Sequence, residues 1–265
     1  MKDQAIEAAA RLSGHRKLAA LREYLQAEIL FSLQNRNAFQ KMAFGGGTAL
    51  RFLHGIGRYS EDLDFSSSAA KFDPADLWKE VARDLADAGY RVSSHPRGKG
   101  AVAGVFYRFE GLLYESGISS HEKEKISVRV EVDLRPPAGA VLQSTLVRRH
   151  FMLSLRHYNL PSLFAGKCHA LLQRRHTKGR DVYDLAWYLT QPDLQPNLIL
   201  LDNALRQTGW PGPPPDVNNW REILARAVER LDWKTVKEEL SNFLENPAEL
   251  AGIEKKAILS LLRPK

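Results

Sequence analysis

Apolar residues recur at three- and four-residue spacing from Leu18 through Leu21, Tyr24, Leu25 and Ile29 to Leu33. This predicts helix across most of residues 1–40. Lys41 to Phe44 reads as a short extended segment entering a triple-glycine turn, and residues 48–54 read as a short helix stopped by Gly55 and Gly57. Leu63 and Phe65 then alternate with Asp62 and Asp64, so on a strand the two acids share one face and the apolar pair the other. Asp73-Pro74 reads as an N-cap and first helical position, opening a helix that Gly89 ends. Residues 90–94 and 102–110 read as strands around a basic loop, Pro96-Arg97-Gly98-Lys99-Gly100. Residues 126–133 alternate strictly. Ile126, Val128, Val130 and Val132 take one face; Ser127, Arg129, Glu131 and Asp133 take the other.

Pro136-Pro137-Ala138-Gly139 ends that strand and predicts a hinge between a first half, 1–137, and a mainly helical second half, 138–265. A short connection leads to a helix from Pro161 to Arg175. Between Gly179 and Thr190, Val182, Leu185, Ala186 and Leu189 form one apolar helical stripe. Asp181 falls at the edge of that stripe. Asp184 falls further round, toward solvent, as a partner for Arg180 or an exposed charge. Residues 192–215 are turn-rich, with Trp210-Pro211-Gly212-Pro213-Pro214-Pro215 as a stiff connector, and residues 218–262 read as packing helices. Strands first and helices after predict an α+β (α/β) chain with a mixed sheet.

At 265 residues and 44% hydrophobic content, the chain can bury the core of one large domain or two small ones. The one cysteine, Cys168, excludes an internal disulfide and fits a reducing, cytoplasmic setting as a small core residue. No signal-peptide layout and no run of membrane-spanning length are visible, so no membrane partner is expected. The net charge of +7 is unevenly spread. From Leu134 through Arg180 there is no acid, against Arg135, Arg148, Arg149, Arg156, Lys167, Arg174, Arg175, Lys178 and Arg180. These nine cations exceed the whole surplus, which points to a polyanionic partner such as a triphosphate with a nucleic acid. A solvated basic face is the plainer reading.

The chemistry concentrates in Gly45-Gly46-Gly47-Thr48-Ala49-Leu50 and in Ser60-Glu61-Asp62-Leu63-Asp64-Phe65. Glycines let backbone N–H groups approach a phosphate at a helix start, here Gly46, Gly47 and Thr48. Two carboxylates on one strand face repel unless a cation stands between them, and Mg²⁺ (or Mn²⁺) is the oxygen-ligated choice beside phosphates. Alone, a glycine run is more often a turn and an Asp-x-Asp pair a strand edge or helix cap. Together they describe a phosphate cradle and a metal pair, the equipment for moving a nucleotidyl group. Arg58 reads equally as a phosphate contact or a structural ion pair. Ser60, near the expected γ-phosphate, reads as a nucleotide contact and as a possible acceptor of a switching modification.

The run from Phe44 to Arg51 with Gly57 to Phe65, followed by Lys167 and the block Lys178-Gly179-Arg180-Asp181-Val182-Tyr183-Asp184-Leu185, resembles the AbiEii/AbiGii-type nucleotidyltransferase toxins of the DNA-polymerase-β-like superfamily. The resemblance implies a polymerase-β-like core with a mixed sheet flanked by helices, and a helical C-terminal half completing the active site. It implies a third carboxylate on a strand beside the Asp pair, for which Glu131 is the first choice and Asp133 the second. It makes Lys167 the cation that grips the nucleoside triphosphate (NTP) and Asp181 an essential acid, although Asp181 could equally serve its own helix dipole. The implied acceptor is RNA, the tRNA 3′ end, with Arg148, Arg149, Arg174, Arg175, Lys178 and Arg180 as its contacts. A cognate antitoxin is implied as well. Two other readings stand beside this one: transfer to a protein hydroxyl or small molecule, and a nucleic-acid-binding protein without turnover.

Overall fold

The computed structural model describes residues 1–263 except Ala70, Lys99, Arg175 and Thr177. The expectations at Arg175 and Lys99 therefore lie outside the described residues. The chain divides into two compact units. The first comprises Met1–Gly55, Tyr59–Pro136 and Gln143–His157; the second comprises Ile56–Arg58, Pro137–Leu142 and Tyr158–Lys265. Among the described residues no helix is long and apolar enough to cross a membrane.

The first unit is built on a seven-stranded mixed sheet. Its strands are β1 (Met42–Gly45), β2 (Asp62–Ser67), β3 (Val92–Arg97), β4 (Val102–Glu110), β5 (Lys125–Asp133), β6 (Leu142–Arg149) and β7 (Phe151–Tyr158), in the order β3-β4-β5-β2-β1-β7-β6. The alternation seen in the sequence decides which face is buried. Leu63, Val128, Val130 and Val132 are fully buried, while Asp62, Asp64, Arg129 and Glu131 stand on the more open side. The helices are α1 (Lys2–Ala10), α2 (Gly14–Asn35), α3 (Gly46–His54), α4 (Ala75–Asp87) and the short α5 (Leu112–Glu115). Leu21, Leu25, Ile29 and Leu33 line the buried side of α2, as their spacing predicts. Helix α3 begins at Gly46, two residues before the expected start, and stops at Gly55, whose φ of 65° is left-handed.

The hairpin of β6 and β7 occupies a stretch that reads as a short connection in the sequence. Leu153, Leu155 and His157 are buried on alternate positions of β7, which pairs in parallel with β1 at Phe44. Only two of these three are apolar, and β6 is a largely exposed edge strand, so the hydrophobic signal is weak.

Where this hairpin turns, Arg149 and His150 meet Glu23 of α2. The Glu23 carboxylate lies 2.6 Å from Arg51 Nε, 2.8 Å from Arg149 and 3.5 Å from His150. Burial alone would push this carboxyl up. The His150 hydrogen bond and the Arg51 and Arg149 charges outweigh it and hold the pKa at about 2. Because the folded value lies below the unfolded one, near 4.5, the cluster stabilises fully above that pH and fades as pH falls toward 2. The loss reaches up to about 3 kcal/mol. Urea unfolding at stepped pH values between 5 and 2 should therefore show a smaller acid-dependent loss in Glu23→Gln than in the wild type.

The second unit is helical. It contains α6 (Leu160–Gln173), α7 (Gly179–Leu189), α8 (Leu198–Gln207), α9 (Trp220–Glu229), α10 (Trp233–Ser241) and α11 (Lys255–Leu262). Phe164 stacks on Tyr188 at 4.4 Å between ring centroids and meets Trp220 edge-on, forming its aromatic centre. Cys168 is buried beside them as a core residue, its thiol pushed up by burial. Helix α8 falls in the stretch that reads as turn-rich. Its start is set by Asn197, whose side chain accepts from the Leu200 amide at 3.1 Å, and its Leu200, Leu201, Ala204 and Leu205 are buried.

Candidate active site

Two strand pairings bring the sequence motifs together in the first unit. In the antiparallel β1·β2 pair Gly45 is opposite Asp64, so the glycine turn lies beside the second aspartate. In the parallel β2·β5 pair Asp62 is opposite Arg129, and Asp64 is opposite Glu131. Neighbouring residues on adjacent strands point to the same face, so one open surface carries Asp62, Asp64, Arg129 and Glu131. Asp133 is opposite Ser66 instead, and its carboxylate accepts from the Arg135 amide at 2.8 Å.

The Asp64 carboxylate rests on Gly46. That glycine has φ +68°, and a Cβ built there would lie 2.1 Å from Asp64 Oδ2. Only glycine satisfies both the backbone conformation and the contact. Gly45 differs, with extended backbone and the nearest atom to a built Cβ at 3.9 Å. Gly46→Ala is therefore expected to displace Asp64 and lower nucleotidyl transfer by about 10²-fold, the scale of a 1 Å misplacement. Gly45→Ala should stay within a few-fold of wild type in the same radiolabel transfer assay.

The Thr48 side chain is buried, and its hydroxyl donates to the Asp62 carbonyl at 2.5 Å. It therefore pins α3 to the start of β2, and any phosphate contact at this position falls to its backbone N–H. Gln26 donates to the Ser60 carbonyl at 3.1 Å, fixing the approach to the aspartates. Arg129 is a residue whose role the sequence reading missed. Its guanidinium donates to Asp62 at 2.6 Å and to Glu131 at 3.2 Å, and the Asp62 hydrogen bond raises its pKa further. Its place two residues before Glu131 on the polar face of a strictly alternating strand was the available signal.

These acids offer only hard oxygen donors, the set that suits Mg²⁺ or Mn²⁺ rather than softer metals. Among the described residues no three acidic, histidine or cysteine groups are closed on a metal-sized point, and Arg129 is the cation that Asp62 and Glu131 hold. The donor chemistry and the shared face fit a divalent ion.

The second unit carries its own charged cluster. Arg58 is 1% exposed and grips Asp184 through two nitrogens, at 2.6 and 2.5 Å. Lys167 Nζ lies 2.8 Å from Asp184 and 3.0 Å from Asp181, and Arg174 pairs with the other Asp181 oxygen. Burial raises the Asp184 carboxyl, but the Arg58 and Lys167 charges overcome it and hold the pKa below its ordinary range. Of the two readings open for Arg58, the ion pair is the one observed: a buried guanidinium committed to Asp184 does not face solvent to meet a phosphate. The expected exposure of Asp184 is also corrected, since it is fully buried. Helix α7 packs against α6, α10 and α11, so more than one of its sides is covered. Asp181 is buried as well.

The basic residues expected to meet an acceptor are divided. Arg148 and Arg149 belong to the first unit; Arg174, Lys178 and Arg180 belong to the second. Arg148 is exposed, Arg149 is engaged with Glu23, and Arg180 stacks on Phe243 at 4.0 Å.

A glycine turn opening a helix beside strand-borne carboxylates, on a mixed sheet followed by a helical unit, is the arrangement of a nucleotidyltransferase. Residues 28–255 match the family model "Nucleotidyl transferase AbiEii toxin, Type IV TA system", and the chain belongs to that family. It is thus a nucleotidyltransferase toxin of a type IV toxin–antitoxin system, a family whose enzymes use an NTP and a divalent metal. Its fold is similar to that of MenT4, a nucleotidyltransferase toxin from Mycobacterium tuberculosis H37Rv. The TM-score is 0.53 at 19% identity, over 99% of each chain. It is also similar to a candidate nucleotidyltransferase from H. pylori, with a TM-score of 0.51 at 20% identity over 93% of this chain and 97% of that one. No curated protein matches the chain.

Proposed function

We propose that the enzyme transfers nucleotides from an NTP to RNA, at the tRNA 3′ end, in a Mg²⁺-dependent reaction that blocks translation. The observation that carries this reading is the seating of Asp64 on Gly46, with Glu131 beside it across β2·β5. Asp62, Asp64 and Glu131 would hold the divalent ion. When bound, that ion neutralises charge at the α-phosphate and lowers the pKa of the attacking hydroxyl. Backbone N–H groups of Gly46, Gly47 and Thr48 at the start of α3 donate to the β- and γ-phosphates. The acceptor hydroxyl oxygen gives up its proton to solvent and bonds to the α-phosphorus as the bond from that phosphorus to the α–β bridging oxygen breaks and pyrophosphate leaves. Lys167 is assigned to the triphosphate, with Asp181 and Asp184 fixing the position of its ammonium. Arg148 and Lys178 are assigned to the acceptor backbone, and a cognate antitoxin restrains the enzyme.

The test is incubation with total tRNA and each labelled NTP, with Mg²⁺ and with EDTA. Label entering tRNA only with Mg²⁺ supports the reading. Label on protein or on a small molecule moves the acceptor class. RNA binding with no incorporation from any NTP overturns the assignment.

A further inference from the structure

The second unit contains a cavity of about 520 Å³, within the range of ligand sites. None of the three carboxylates described above lines it. Leu171, Ile223 and Leu231 contribute an apolar floor, and the Trp210-Pro211-Gly212-Pro213 turn forms one wall. That turn is folded on itself: the Trp210 indole N–H donates to the Pro213 carbonyl at 3.3 Å, and Gly212 lies against the indole ring, where a Cβ would approach to 2.5 Å. The stretch that reads as a stiff connector therefore holds an aromatic ring in a fixed position.

The charges lining the cavity are one-sided. Arg174, Lys178, Arg226 and Arg230 line it, against one acid, Asp181, which Lys167 and Arg174 already hold. Among the described residues no carboxylate pairs with Lys178 or Arg230, although other basic side chains in this unit have found one. An indole ring beside an apolar floor suits stacking with a base, and unmatched cations nearby suit the flanking phosphates.

We propose that this pocket binds an unpaired nucleotide of a single-stranded RNA end, with its base against Trp210 and its phosphates at Lys178 and Arg230. The proposal rests on the reading of RNA as acceptor and adds a place where the strand is held.

The test is fluorescence-anisotropy binding of a labelled single-stranded RNA heptamer at fixed low salt to the full-length protein and to Trp210→Ala and Arg230→Gln. Each substitution is expected to weaken binding about tenfold. Arg230→Gln changes an exposed side chain and keeps the test decisive if Trp210→Ala folds poorly. Undiminished heptamer binding by Arg230→Gln, or by a folded Trp210→Ala, would overturn the proposal, as would binding of free AMP without binding of the heptamer. Label transfer to tRNA, measured separately, distinguishes the two claims. Transfer lost everywhere with heptamer binding still dependent on Trp210 would remove the acceptor reading and keep the pocket.

Discussion

Asp64→Asn is expected to lower nucleotidyl transfer by roughly 10³-fold or more, with the unfolding profile little changed. The size of the effect follows from the chemistry. The substitution removes the negative charge and one strong oxygen donor at the centre of the proposed metal site, where several kcal/mol of transition-state stabilisation are at stake. The fold is spared because asparagine has the shape of aspartate and still fits over Gly46. Glu131→Gln should fall in the same direction. Asp133→Asn should stay near wild type, because its partner is the Arg135 amide and its strand neighbour is Ser66. Initial-rate measurements at saturating NTP and Mg²⁺, beside a urea melt of each variant, check both parts. An Asp64→Asn enzyme within tenfold of wild type would contradict the assigned role.

The second large effect is on stability. Arg58→Ala and Asp184→Asn should each destabilise the second unit by about 3–5 kcal/mol. Either change leaves a fully buried charge without its bidentate partner: Asp184 in the first case, Arg58 in the second. Lys167 remains beside Asp184 in Arg58→Ala, which places that variant at the lower end of the range. The paired replacement Arg58→Met with Asp184→Leu should recover much of the loss, because removing both charges also removes their desolvation cost. Urea unfolding followed by tryptophan fluorescence reads this unit well, since Trp220 sits in its aromatic centre. Equal, small effects of both single changes would mean that the pair is not buried as described.

What the sequence made legible is the part governed by short-range rules. The Asp62/Asp64 alternation and the strict polar face of Ser127 to Asp133 follow from backbone periodicity, and each is where it was expected; the glycine run also joins a strand to a helix, although the helix takes in Gly46 and Gly47 themselves. What was not legible depends on which surfaces are covered. Asp184 was misplaced because a helical wheel with one apolar stripe assumes one buried face, whereas α7 is packed by three helices. The β6–β7 hairpin was missed because His157 occupies a buried strand position that an apolar pattern would have given to valine or isoleucine. Helix α8 was hidden by flanking prolines, although Asn197 and the Leu200, Leu201 and Leu205 spacing carried its signal. The role of Arg129 needed the register of β2 against β5, which neither strand reveals alone.

The most direct measurement is the binding of Mn²⁺, a spectroscopic stand-in for Mg²⁺, read by electron paramagnetic resonance with a non-hydrolysable NTP present and no acceptor. The wild type should bind Mn²⁺ with rising NTP, and Asp64→Asn should lose that signal while keeping its fold. Equal Mn²⁺ binding by both proteins, or none by the wild type, would contradict a divalent-ion site at Asp62, Asp64 and Glu131.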